Sequence, residues 1–240
     1  MKKTLTSLVT VVVALVVWFV AAWLGVDLPF DDAGSGASGE YAAVVEQLGS
    51  LPVKGRAPMT GYAREEFGPA WKDVDRNGCD TRNDILRRDL TGVSLKRGTK
   101  GCIVSRGVLE DLYTGTKIRF VRGPDSAKVQ VDHVVALADA WQKGAQQLSV
   151  SQREALANDP LNLLASQGAA NSQKGAGDAA TWLPENKEFR CQYVATQVAV
   201  KAKYSLWVTS AERDAMASVL SRCDGEVPFP GPVPALGVRH

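Results

Sequence analysis

VQVDHVVAL, at residues 129–137, and ANSQKG, at residues 170–175, bracket the stretch that decides the fold of this chain. The first run is rich in Val and is predicted to be a strand, and the second is predicted to lie on a short helix. Asp132 and His133 fall within the strand. The chain contains 2 histidines. The other, His240, is the last residue, so any imidazole chemistry is assigned to His133.

The composition is that of an ordinary globular protein, with 240 residues of which 45% are apolar and 22% are charged. The 28 basic and 26 acidic residues leave a formal net charge of +2. No global positive field therefore draws the protein onto nucleic acid, and any polyanion site must be a local patch. One main domain is expected, over residues 41–226.

The N-terminal segment, residues 1–30, is predicted to direct export. It begins with lysines, and residues 8–26 then lack charge and are rich in Val, Leu and Trp. About 18 to 20 apolar residues span a bilayer, so an uncleaved signal anchor and a cleaved signal peptide both remain open. Either one predicts a protein that is extracellular or anchored to the outer face of the cytoplasmic membrane. A flexible Gly/Ser linker at residues 31–40 and a disordered Pro-rich tail at residues 227–240 are predicted to flank the domain.

Four cysteines fit an oxidising compartment. None belongs to a CxxC pair, so two disulfides are favoured over a zinc site. The sequence allows three pairings. Joining Cys79 to Cys102 and Cys191 to Cys223 is favoured because each bond closes a local loop, worth about 3 kcal/mol in the chain-entropy model.

The order of elements predicts an α+β fold in which helices outnumber strands. Residues 102–108, 117–122 and 129–137 are rich in Val, Ile and Phe and are separated by turn sequences. The last two of these runs are predicted to pair antiparallel. Helical periodicity covers residues 189–206 and 210–223.

Three segments in order carry a family resemblance. VDHVVAL at residues 131–137, PLNLLA at residues 160–165 and NSQKG at residues 171–175 resemble the HNH, or ββα-metal, endonuclease motif in its His-Asn-Asn form. The flanking DTRNDILRRDL and FRCQYVATQVAVKAKYSLW more specifically resemble secreted bacterial proteins related to the C-terminal domain of GmrSD restriction endonucleases. The resemblance covers residues 61–223. It implies a ββα-metal nuclease core with additional helices, stapled by disulfides.

The resemblance implies a role for each motif residue. His133 would be the general base that takes a proton from water. Asp132 and Asn171 would bind one divalent cation that stabilises the leaving oxygen. Asn162, in a stretch predicted to be an ordered loop, is expected to bond to backbone and hold that loop, a structural role. For an isolated Asp-His pair, surface or N-cap residues would be the simpler interpretation.

The sequence departs from the family pattern at two positions, and one of them bears on the choice of cation. Many members have His where Asn171 stands, and the amide oxygen makes the site harder, which favours Mg²⁺ or Mn²⁺. Ala136 stands where many members have Pro, which removes a backbone restraint but no ligand. Cleavage is therefore still expected.

Basic side chains near the motif are candidates for binding the scissile phosphate. Arg82 and Arg87 lie in a charged segment at residues 80–90, and Lys174 follows Asn171 on the same predicted helix turn. A guanidinium fork suits phosphate. Each of these side chains also has a simpler interpretation, as part of a solvated face with helical charge pairs.

These features predict an exported, metal-dependent endonuclease that cleaves DNA, with RNA as a further candidate substrate. Little sequence preference is expected, because no segment is long or basic enough to form a separate recognition domain. The alternative is a non-catalytic, envelope-associated protein of the same fold that binds nucleic acid or a partner. A hydrolase of another phosphodiester, such as a nucleotide or wall polymer, is a third candidate. Activity is expected to decline as His133 protonates, below about pH 6.5 before any local shift of its pKa.

Overall fold

The computed structural model describes residues 39–224. The predicted export segment at residues 1–30, most of the linker at residues 31–40 and the tail at residues 227–240 lie outside the described residues. Within the described part, no helix combines the length and apolar character that a membrane span requires.

Helices and strands are mixed along the chain, which confirms the α+β class. The helices are α1 (Gly39–Ser50), α2 (Thr81–Asp89), α3 (Leu137–Gln142), α4 (Val150–Asn158), α5 (Gly168–Lys174), α6 (Arg190–Lys203) and α7 (Ser210–Leu220). The strands are β1 (Leu90–Leu95), β2 (Val104–Glu110), β3 (Lys117–Val121), β4 (Val129–His133) and β5 (Leu163–Gln167).

The strands of the described residues form two antiparallel sheets, one of β1, β2 and β3 in that order and one of β4 and β5. The predicted pairing of residues 117–122 with residues 129–137 is therefore wrong. β3 pairs with β2 instead, with Lys117 opposite Glu110. A 3₁₀ turn at Pro124–Lys128 separates β3 from β4, so the next strand starts in another sheet.

β5 was predicted to be a loop and is a strand. It pairs with β4 without a bulge, with His133 opposite Leu163 and Val129 opposite Gln167. Its first four residues are all buried. A strand that is buried on both faces lacks the alternation of apolar and polar residues by which strands are recognised.

β4 lies between two hydrophobic clusters. Val129 and Val131 belong to a cluster with Ile85 and Leu86 of α2. Val134, which follows the strand, belongs to a different cluster that includes residues of α1, α6 and α7. Successive side chains of a strand point to opposite faces, so the two clusters fix which way each residue of β4 points.

Both disulfides join the predicted pairs. Cys79 and Cys102, with Cα atoms 5.1 Å apart, tie the approach to α2 to the approach to β2. Cys191 and Cys223, with Cα atoms 5.8 Å apart, tie α6 to the chain just after α7. Each bond closes a short loop and is expected to contribute about 3 kcal/mol in the chain-entropy model.

A buried network of charges joins α3, α6 and α7. Its buried members are Asp139, Lys143, Asp178, Lys201 and Glu212, and the exposed Arg56 pairs with two of them at the edge of the network. The ammonium of Lys143 lies 2.6 Å from Asp139, 2.8 Å from Asp178 and 2.6 Å from Glu212. Burial disfavours the charged form of Lys143, but these carboxylates raise its pKa above the usual value. The positive and negative charges balance, so the loss of any one of them would leave a buried charge without its partner.

Candidate functional site

His133 ends β4 and lines a cavity of about 470 Å³. Its Nε2 lies 2.9 Å from the carbonyl oxygen of Ala157. A carbonyl oxygen can only accept a hydrogen bond, so Nε2 carries the proton and Nδ1 is left as an acceptor. Burial lowers the pKa of His133 to about 4, although the bond to Ala157 raises it. The imidazole is therefore neutral at pH 7.

Other groups of different character share this cavity wall. The indole of Trp71 stacks on the imidazole of His133, with ring centroids 6.0 Å apart and planes 13° apart. The guanidinium of Arg64 is exposed, and its charge lowers the pKa of His133. The Oδ1 atom of Asn158 is buried without a hydrogen-bond partner among the described residues. The cavity thus combines a base, a cation and an aromatic cover.

Asp132 points to the opposite face of β4, as strand geometry requires. Its Oδ2 accepts a hydrogen bond from the hydroxyl of Tyr113 at 2.6 Å and lies 2.9 Å from Nζ of Lys174. The same Nζ donates to the backbone carbonyl of His133 at 2.8 Å. The side chain of Lys174 is 0% exposed. In this arrangement Lys174 neutralises Asp132 inside the protein and does not face solvent.

Asn171 lies one helical turn before Lys174 on α5. Its Nδ2 donates to Oε1 of Gln130 at 2.7 Å. Gln130 and Asp132 are two residues apart on β4 and share one face. The structure therefore brings Asn171 and Asp132 to the same interface between β4 and α5, with separate partners.

Asn162 is fully buried beside the chain that follows β4. Its Oδ1 accepts from the backbone N–H of Val135 at 2.8 Å, and its Nδ2 donates to the carbonyl of Leu156 at 3.3 Å. Its own carbonyl accepts from the N–H of Val134 at 2.8 Å. These bonds join the segment that leaves β4 to the segment that enters β5.

Arg82 and Arg87 lie on α2 and do not line the cavity of His133. Arg87 donates to the carbonyl of Gly101 at 3.0 Å. Burial and the nearby charge of Arg122 lower the pKa of Arg82. The basic residue that the fold places beside His133 is Arg64, which sequence reasoning missed. No local pattern marks it, because it reaches the cavity only through the packing of its 3₁₀ turn on α4.

A divalent cation is implied by the family resemblance, and the donors can be judged by their chemistry. The carboxylate of Asp132 and the Oδ1 of Asn171 are hard oxygen donors of the kind that Mg²⁺ and Mn²⁺ prefer. A carboxylate has about four acceptor positions, and Tyr113 and Lys174 do not use all of them. Within residues 39–224, no group of three or more His, Cys, Asp or Glu side chains is arranged to hold a metal ion. The two oxygens fit such a cation in kind.

Comparisons with known proteins point to a nuclease-related family. Residues 80–219 match the family model for the C-terminal domain of GmrSD restriction endonucleases. An uncharacterized secreted protein of Arthroderma benhamiae is 35% identical over 178 residues, which cover 73% of this chain and 82% of that protein. No solved structure matches the chain. The chain belongs to the family of the C-terminal domain of GmrSD restriction endonucleases.

Proposed function

We propose that the protein is an exported HNH-type endonuclease that hydrolyses phosphodiester bonds of DNA, with RNA as a further candidate substrate and with little sequence preference. The observation that carries the proposal is the neutral imidazole of His133, which has a free Nδ1 acceptor and shares a cavity wall with Arg64. Family membership supports the same chemistry. β4 pairs with β5, although α3 and α4 lie between them in the chain, and α5 follows β5, which is the strand-strand-helix arrangement of a ββα unit.

His133 acts as the general base. Its Nδ1 takes a proton from the attacking water, while the Nε2–H bond to Ala157 holds the ring in the required tautomer. A base placed in this way contributes about 10² to 10⁴ in rate. The low pKa of His133 keeps the base unprotonated over a wide pH range.

Arg64 binds the phosphate that is attacked. It lines the cavity, and no described residue forms an ion pair with its guanidinium. A guanidinium offers two parallel donors to phosphate oxygens. Trp71 covers the imidazole and limits the approach of bulk water to His133.

Asp132 and Asn171 would hold the cation, Mg²⁺ or Mn²⁺, on the face of β4 opposite to the side chain of His133. A cation held there would supply positive charge to the leaving oxygen of a substrate that reaches around the end of β4. Lys174 is a positioning residue, because it fixes the carboxylate of Asp132 and the end of β4 together. Asn162 keeps the segment after β4 in register with β5.

An extracellular location is supported by two features. Disulfides persist in oxidising compartments, and the chain has two of them. The Arthroderma benhamiae relative is described as secreted.

A non-catalytic nucleic-acid-binding or partner-binding role is the second candidate. It is favoured by the contact between Lys174 and Asp132, which already neutralises one proposed cation ligand. The same experiment distinguishes the two roles, because a binding protein retains DNA without cleaving it.

The test uses purified protein with plasmid, linear single-stranded DNA and RNA, in EDTA and in Mg²⁺ or Mn²⁺. Cleavage is expected only with the divalent cation. His133→Ala should reduce the rate by at least about 10²-fold, whereas His240→Ala, the matched control, should cleave at the wild-type rate. Circular dichroism checks that both variants are folded. Cleavage by His133→Ala at the wild-type rate would disprove the role of His133.

A further inference from the structure

The loop that precedes α2 has the residue order of a calcium-binding loop. Its sequence DVDRNGCDTRND, at residues 73–84, follows the pattern D-x-D-x-N-G-x₅-D. The EF-hand pattern is the same except for Glu at the last position. In that pattern, positions 1, 3, 5, 7 and 12 supply ligands, and position 6 is a glycine that makes a sharp turn. The corresponding ligand residues here are Asp73, Asp75, Asn77, Cys79 through its carbonyl, and Asp84.

The backbone already follows the path that such a loop requires. The carboxylate of Asp73 accepts from the N–H of Asn77 at 3.1 Å and from the N–H of Gly78 at 2.9 Å. Gly78 has φ of +88°, in the left-handed region that favours glycine. The Oδ1 of Asn77 accepts from the N–H of Cys79 at 2.8 Å. These bonds hold residues 73–79 in a turn, and Cys79 at the end of that turn is joined to Cys102.

Asp84 is an independent indication that a cation is required. It is only 5% exposed. No described Lys, Arg or His nitrogen lies within 4.0 Å of its carboxylate, and no described backbone N–H donates to it. Its side chain hydrogen-bonds with the side chain of Asn77 and interacts electrostatically with Asp73, Asp75 and Asp80, so it points into the loop. A buried carboxylate that faces other acids is stabilised by a bound cation.

We propose that residues 73–84 bind one Ca²⁺ ion through the side chains of Asp73, Asp75, Asn77 and Asp84 and the carbonyl of Cys79. The carboxylates do not yet converge as a metal group, so binding requires rotation of side chains but no new backbone path. Ca²⁺ accepts six to eight oxygens in flexible geometry, which suits a mixed set of carboxylate, amide and carbonyl donors better than Mg²⁺ does.

The family match does not account for this site. It begins at residue 80, so Asp73, Asp75 and Asn77 precede it. Asp84 is one carbon shorter than the usual Glu, which weakens bidentate binding. A dissociation constant of about 10⁻⁴ to 10⁻³ M is therefore expected, the range of extracellular calcium modules.

Calcium binding would also fix the aromatic cover of His133. Thr81 begins α2, and its N–H donates to the carbonyl of Trp71 at 3.3 Å. Its hydroxyl donates to the carbonyl of Lys72. Trp71 itself has φ of +60°, an unfavourable conformation that its surroundings must maintain. An ion bound to both Asp73 and Asp84 would fix the two ends of the loop. It would thereby stabilise the hydrogen bonds from Thr81 to the backbone beside it.

Calorimetric titration of the purified full-length protein with CaCl₂ measures the site directly. One Ca²⁺ ion should bind, and 10 mM CaCl₂ should raise Tm by about 3 °C. Asp75→Ala removes an exposed ligand and should weaken binding by at least about tenfold. Asp125→Ala, the matched control, removes an exposed carboxylate paired with Lys128 and should bind as the wild type does.

His133→Ala should bind Ca²⁺ as the wild type does, which separates this site from the nuclease site. Three results would overturn the proposal. These are no binding by the wild type up to 10 mM CaCl₂, equal binding by Asp75→Ala and the wild type, or an equal rise in Tm with MgCl₂ that Asp75→Ala retains.

Discussion

Nε2 of His133 lies 2.9 Å from the carbonyl oxygen of Ala157, the penultimate residue of α4. This bond links the end of β4 to α4 and assigns the proton of the imidazole to Nε2. The proposed base is therefore Nδ1, and the ring cannot turn without breaking a buried hydrogen bond.

The pH profile is the first prediction. The pKa of His133 is lowered to about 4, so its neutral form is favoured in the folded state. Activity should persist below pH 6 and fall only as pH approaches about 4, whereas an imidazole without a local pKa shift would lose activity below about pH 6.5. The linked stability is present above the unfolded pKa of about 6.5 and is lost as pH falls towards 4.

Initial rates and Tm measured from pH 4 to pH 8 check this prediction. The His133→Ala variant serves as the control for Tm, because its stability should change less over the same interval. A half-maximal rate centred near pH 6.5 would show that the imidazole is solvated in the working enzyme.

Lys174→Met separates a phosphate ligand from a positioning residue. Removal of the ammonium leaves the carboxylate of Asp132 buried without its cation, so the free energy of unfolding should fall by about 3 to 5 kcal/mol. Urea unfolding measures the loss. Lys187→Met, in an exposed turn, should change it by less than about 0.5 kcal/mol.

The opposite result for Lys174 would be equally clear. If Lys174→Met keeps wild-type stability but raises KM and reduces the salt dependence of DNA binding, the residue acts on the phosphate. That outcome would restore the role first expected from the sequence.

Arg64→Ala tests the phosphate ligand beside His133. Its exposed side chain has no ion-pair partner among the described residues, so Tm should stay within about 2 °C of the wild type. KM for DNA should rise, and the slope of log K against log salt should become less steep by about 1. Arg87→Ala is the comparison, because it loses a bond to Gly101 away from the cavity. Equal effects of the two variants on KM would argue against Arg64.

Lys143→Met probes the buried charge network. It leaves the carboxylates of Asp139, Asp178 and Glu212 with less positive charge at a site where water is excluded. The free energy of unfolding should fall by about 3 to 5 kcal/mol in urea titrations. Lys117→Met, which removes an exposed pair with Glu110, should cost less than about 1 kcal/mol. A loss below 1 kcal/mol for Lys143→Met would mean that water enters the network.

The elements with a clear local sequence pattern were predicted correctly from that pattern. β4 is rich in Val and was predicted at its correct start, and the disulfide pairs followed from loop length. The partner of β4 was wrong, because proximity along the chain favoured β3. The actual partner, β5, lies thirty residues after the end of β4 and carries no alternation.

The candidate site, too, was only partly predictable from the sequence. The order Asp132, His133, Asn162 and Asn171 is visible in the sequence, but the partners of these side chains are not. That Lys174 is buried against Asp132 depends on how α5 packs on β4. Arg64 and Trp71 reach His133 only through tertiary packing, which no spacing in the sequence records.

The bond between Cys79 and Cys102 has a consequence for where the protein can work. Cys79 lies within the 73–84 loop, a few residues after Trp71, which covers His133. In a cytoplasm, thiols are kept reduced, so a newly made chain lacks this bond and about 3 kcal/mol of support. The proposed nuclease would thus be least complete while it shares a compartment with the chromosome of the cell that makes it, and would mature only after leaving it.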